Sequence, residues 1–139
     1  MASFFKFETF VGDLGDKVHD LDADAIWVYL TDATPDAAAD SIRGDLAEIG
    51  SGNGYTTNGQ DAQAVWSEAN GIGTLTGTDI VWTAAGGTIG PFRYAVLYND
   101  TPAGPVDPLI ASWDYGSSIT LLDGETFTVD FGSSILTIT

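Results

Sequence analysis

Residues 125–131 read ETFTVDF, and the fold class turns on them. Phe127, Val129 and Phe131 alternate with Thr126, Thr128 and Asp130, so an extended chain puts three apolar side chains on one face and three polar ones on the other. That is a strand lying on a core with its back in water. Similar runs of five to eight residues recur between clusters of Gly, Asp, Asn, Ser and Thr: AIWVYLT at 25–31, QAVWSEA at 63–69, DIVWTAA at 79–85, FRYAVLYN at 92–99, LIASWDY at 109–115 and ILTIT at 135–139. The spacing predicts an all-β, single-domain antiparallel sandwich or jelly-roll-like fold of about seven or eight strands over residues 1–139.

Two of these runs break the alternation. Residues 25–30 and 92–98 are apolar on both faces, with Trp27 and Tyr29 opposing Ile26, Val28 and Leu30. Such strands need cover on both sides, from a second sheet, a loop or another subunit. Helix is scarce. Residues 7–18 are the best candidate for one short helix within an N-terminal arm spanning 1–20, although Gly12 and Gly15 lower its propensity, and residues 35–40 suit a single helical turn. Residues 44–62 form a long connection with tight-turn dipeptides at Asn53-Gly54 and Asn58-Gly59. An internal echo, DYGSSI at 114–119 and DFGSSI at 130–135, places Gly-Ser-Ser where the chain must bend, bulge or reverse. The proline-bearing TPAGP at 101–105 reads as an exposed loop, and the Gly-rich AAGGTIGPF at 84–92 as a hairpin connection.

Length and charge bound the rest. A chain of 139 residues suits one domain, and size scaling gives roughly 6,900 Å² of accessible surface when folded. Four Lys plus Arg against twenty Asp plus Glu give a formal net charge of −16. Nucleic acid and anionic membranes are therefore not expected partners, because both need clustered cations and Lys6, Lys17, Arg43 and Arg93 are scattered. Sixteen of the acids are Asp, which favours turns and strand ends over helices. There is no cysteine, hence no disulfide framework, thiol nucleophile or Cys-based zinc site. The N-terminus lacks the pattern of a cleaved signal, and no apolar run reaches membrane-helix length.

Chemistry is hard to find along the chain. A triad needs a histidine beside a nucleophile; the single His19 lies between Asp16 and Asp20, no GxSxG elbow is present, and an exposed histidine in an acidic loop is expected. Asp114 and Asp130 sit between aromatic or apolar neighbours, yet each fits better as an outward strand residue or a cap on the Gly-Ser-Ser that follows than as a catalytic acid. Asp20, Asp22 and Asp24, and Asn99-Asp100, offer oxygen ligands for calcium, but no EF-hand pattern appears and solvated loop charge is the simpler reading. Trp27, Trp66, Trp82 and Trp113 suggest a carbohydrate platform, but each lies in an expected strand and suits a core. No catalytic residue, metal or cofactor is expected.

Residues 88–139, with GPFRYAVLYND and WDYGSSITL as the most specific segments, resemble the C-terminal half of small structural proteins of tailed-bacteriophage virions. The opening FVGDLGDKVHDLDADAIWVYLTDATP is similar to the N-terminal part of the same group, and residues 44–80 match only loosely. The resemblance implies a virion component, made in the host cytoplasm, that is not an enzyme. Its favoured place is the outside of the head, as a decoration or cement protein that binds the major capsid protein or another virion protein, as a homo-oligomer with a trimer favoured. A tail-fibre or tail-tip module binding a host glycan or protein is the rival. Phe4, Phe5, Phe7 and Phe10, from an arm over 2–10, with Trp27, Tyr29 and Arg93, are the candidate interface residues.

Overall fold

The two segments that are apolar on both faces lie side by side at the middle of the largest sheet, where burial on both sides is available. The computed structural model describes residues 3–139. In chain order its elements are β1 (Ser3–Lys6), α1 (Glu8–Gly15), β2 (Ile26–Thr31), a 3-10 turn (Arg43–Asp45), β3 (Gln60–Asp61), β4 (Val65–Ala69), β5 (Ile72–Thr76), β6 (Ile80–Thr83), β7 (Ile89–Asn99), β8 (Leu109–Leu121), β9 (Thr126–Val129) and β10 (Leu136–Ile138). All strand pairs are antiparallel. A five-stranded sheet has the order β1-β8-β7-β2-β3, and the opposing layer is split into a three-stranded sheet, β10-β5-β4, and a two-stranded one, β6-β9. The fold is an all-β, sandwich-like domain with one helix.

Between the layers lies the main core. Ile26, Val28 and Leu30 of β2 and Ala95 and Leu97 of β7 meet Leu75, Ile80, Trp82, Val129, Phe131 and Ile135. In β9 the alternation holds as read: Val129 is buried, Phe127 half-buried, and Thr126 and Thr128 exposed. The opposite face of the large sheet carries a second, smaller core of Phe7, Tyr29, Val96, Tyr98 and Leu109, closed by Leu46 from the loop after β2. A loop of the same chain thus supplies the second cover. The accessible surface is 6939 Å², the value expected for a folded chain of this mass.

Several expectations change in detail. The helix occupies only residues 8–15, ended by Gly15 and by Asp16, whose N–H reaches back to the Gly12 carbonyl. The turn at residues 36–40 is tied by Asp36, whose carboxylate accepts the Ala38 and Ala39 N–H groups. Residues 84–88 are not a hairpin: β6 pairs with β9, so this Gly-rich stretch carries the chain from one layer to the other. In β4 and β5, Trp66 lies over Gly73, where any Cβ would strike its ring, so the glycine makes room for the tryptophan.

Candidate functional site

The candidate interface residues separate into two groups. Phe7, Phe10 and Tyr29 are buried in the chain's own cores and are unavailable to a partner. Phe5 and Trp27 are half-buried against the smaller core, Arg93 is half-buried in an ion pair, and Phe4 is 46% exposed. Ala2, in the expected arm, lies outside the described residues. The arm is not free over residues 3–6, which form an edge strand paired to β8.

Two grooves use the exposed part of this set. One, about 320 Å³, lies between β1, α1 and β10 and is lined chiefly by Phe4, Val11, Leu14, Leu136 and Ile138. Among the described residues Lys6 is its sole charged lining side chain and joins no ion pair. The other, about 430 Å³, lies where β7 and β8 pass β9, between Trp113, Tyr115 and Phe127. Its geometry comes from the first Gly-Ser-Ser. Phe92 pairs with Ile119 and Tyr94 with Asp114, so Arg93 alone on β7 faces the four residues 115–118 on β8, a wide bulge with Gly116 at φ +106°.

Asp114 holds that bulge. Its Oδ1 accepts from Gly116 N–H at 2.8 Å and from Arg93 Nε at 2.8 Å, and its Oδ2 accepts from Arg93 Nη2 at 3.0 Å. The Arg93 fork keeps the Asp114 carboxyl below its ordinary pKa. Asp130 caps the second Gly-Ser-Ser likewise, accepting from Gly132 N–H at 2.8 Å. Both aspartates therefore act as the caps expected of them. What the residues alone do not show is the Arg93 fork, which joins side chains 21 positions apart.

His19 overturns its expected exposure. It is only 6% exposed, its ring lies 5.2 Å from Phe10, and its Nδ1 accepts from the Asn99 amide at 3.0 Å. Asn99 also donates to Asp24 at 2.7 Å, and Asp20 accepts the Asp22 and Ala23 N–H groups. These aspartates are thus engaged with the protein, and among the described residues no group of three or more His, Asp or Glu is placed to hold a metal ion. Burial pushes the His19 imidazole below its ordinary pKa, against the upward pull of Asp13 and Asp24. The unfolded chain then takes up a proton below about pH 6.5 more readily than the folded one, so stability falls as pH drops through that value and is level above it. Urea titrations of the native chain and His19→Gln should show the steeper loss below about pH 6.5 in the native chain; parallel pH profiles would refute a buried neutral imidazole.

The fold and its grooves define an all-β sandwich-like protein with one apolar and one aromatic surface groove. Among the described residues no helix is long and apolar enough to cross a membrane. Comparison with protein-family models, with curated proteins and with solved structures finds no match in any of the three.

Proposed function

We propose that this chain is a structural, non-enzymatic protein of a tailed-bacteriophage virion, seated on the outside of the head as a decoration or cement protein. The observation that carries the reading is the groove between β1, α1 and β10. Phe4 and Val11, 46% and 55% exposed, stand beside β1 at the edge of the large sheet, and among the described residues no acidic side chain lines the groove although the chain carries twenty. An otherwise acidic surface keeps free copies apart, while this face can lie on the major capsid protein or on a neighbouring copy within a trimer. The resemblance supports the same reading: its two most specific segments are β7 and β8, the hairpin on which the large sheet is built, and its loosely matching part, 44–80, covers loops and the small β4-β5 ribbon.

Microscopy of intact particles tests the proposal. Density at regular head positions in hundreds of copies is expected, and a handful of copies at the tail tip would instead establish the tail-module reading. Phe4→Glu with Val11→Glu should weaken binding of the purified chain to heads about tenfold or more, with its urea midpoint nearly unchanged because both side chains are half exposed. Unaltered head binding would remove the groove from the contact.

A further inference from the structure

The second groove has the composition of a ligand site, whatever position the chain takes in a particle. At about 430 Å³ it is within the roughly 300–1,000 Å³ range of small-molecule sites. Its walls are aromatic. Trp113 is half-buried between Phe4 and Phe131, Phe127 lies edge-on to Tyr115 at 5.8 Å, and Tyr115 is 49% exposed. Ala95, between these larger residues, leaves the space open.

The site is built at structural cost. An unbroken β7-β8 ladder would pair residues 115–118; instead they leave it, and the Arg93 fork, the Gly116 conformation and a 2.8 Å hydrogen bond from Ser118 Oγ to Asp32 hold them out, with Tyr115 over the groove. Bulges of this kind re-aim side chains at functional positions. The polar groups also remain available. Among the described residues Arg93 Nη1 and Asp130 Oδ2 have no hydrogen-bond partner, and the Thr128 hydroxyl is exposed.

Charge selects the ligand class. An anion would meet Asp130 and a chain of net charge −16; a cation would meet Arg93 inside an aromatic cage that otherwise suits it. A neutral ring with an apolar face for stacking and hydroxyls that both donate and accept fits every group present. We infer that the groove between Trp113, Tyr115 and Phe127 binds a neutral hexose unit of a glycan, stacked on Tyr115 and Trp113 and hydrogen-bonded to Arg93, Thr128 and Asp130.

The test uses the full ¹⁵N-labelled chain titrated with cellobiose, maltose, lactose and N-acetylglucosamine. At least one sugar should shift the Trp113 indole N–H, the Arg93 Nε–H and the Tyr115 amide, with a Kd of about 1 mM, while the Val11 and Lys17 amides stay still. Tyr115→Ala, a half-exposed site, should weaken that binding about tenfold, and Asp130→Asn should weaken it while still capping Gly132. Should Tyr115→Ala unfold the chain, Thr128→Val, at an exposed strand position, carries the same expectation. The inference is overturned if no sugar shifts these signals, if the shifts survive the substitutions, or if choline or glucuronate binds as tightly as the best neutral sugar. Particle location is not involved in this measurement, so it stands or falls apart from the head assignment.

Discussion

Gly59→Ala lowers the stability of this protein by about 4 kcal/mol or more, a loss at the far end of what single substitutions cause. Gly59 has φ +82°, and it sits where the long connection crosses β2. A Cβ there would collide with the Val28 carbonyl oxygen and lie 2.7 Å from the Val28 carbonyl carbon and 2.8 Å from the Tyr29 Cα. All three atoms are backbone of a central strand, so none can swing away. The next two residues, Gln60 and Asp61, pair with Val28 and Trp27, and displacing the crossing removes that pairing as well. Gly71→Ala is the comparator. Gly71 has nearly the same φ, +81°, but nothing within 4 Å, so its substitution meets only left-handed strain of about 1–2 kcal/mol. In urea, where a domain of this size loses about 1–3 kcal/mol per molar, the Gly59 variant should unfold about 2 M earlier than the native chain. A midpoint no lower than that of Gly71→Ala would mean that the crossing yields.

The turn dipeptide Asn58-Gly59 is legible in the sequence; the strand it crosses is not, because that contact joins residues about thirty positions apart. The same boundary runs through the whole fold. Seven strands announce themselves by alternation or by β-branched and aromatic runs, and all seven form. The three that do not are short or atypical: β3 has two residues, β5 contains Gly73 and two threonines, and β1 is a phenylalanine-rich edge whose partner, β8, follows more than a hundred residues later. Alternation reports which face is apolar, and it carries no information on what covers that face. For Tyr29 and Tyr98 the cover is Leu46 and the loop around it, where a subunit was an equal candidate.

The site divides in the same way. The caps on Gly-Ser-Ser are local, and Asp114 and Asp130 could be read from their own neighbours. His19 looked exposed because its local sequence is acidic; its burial comes from Phe10 and from Asn99, eighty residues downstream. The aromatic groove is not legible locally, since Trp113 and Tyr115 of β8 and Phe127 of β9 belong to opposing layers and meet only once the bulge in β8 is formed. Arg93 has no local signature either, since its fork to Asp114 joins two neighbouring strands.

Arg43→Met is expected to cost about 3 kcal/mol, through the charges it leaves behind. The guanidinium reaches Asp107 at 3.1 Å and Glu48 at 2.9 Å, and lies over the rings of Tyr98 and Tyr29 at 5.5 and 6.0 Å. Glu48 then accepts from the Tyr55 hydroxyl at 2.8 Å and from Asn58 N–H at 2.7 Å, while the Tyr98 hydroxyl donates to the Asn58 carbonyl at 2.7 Å. Burial pushes all three tyrosine hydroxyls above their ordinary pKa, so they remain donors throughout the physiological range. One cation therefore fastens residues 43–58 to the face of the large sheet that the rest of the loop covers. With the Glu48 and Asp107 side chains only 12% and 16% exposed, methionine would fill the space but leave two largely buried carboxylates without their cation, Glu48 keeping only neutral donors. The Arg43 side chain is itself 25% exposed, which keeps the expected cost at the lower end of the range for a broken buried pair. Glu48→Gln alone should cost less, about 1–2 kcal/mol, because the amide oxygen still accepts from Tyr55 and Asn58. In the double variant the two losses should fall short of their sum by about 1 kcal/mol or more, since the second substitution removes a charge that the first had stranded. Hydrogen exchange should show the opening confined to the amides of residues 43–58, with β7 and β8 still protected. Additive losses, or exchange that accelerates evenly across both cores, would show that the loop is held by Leu46 and its apolar neighbours and that the ion pairs only decorate it.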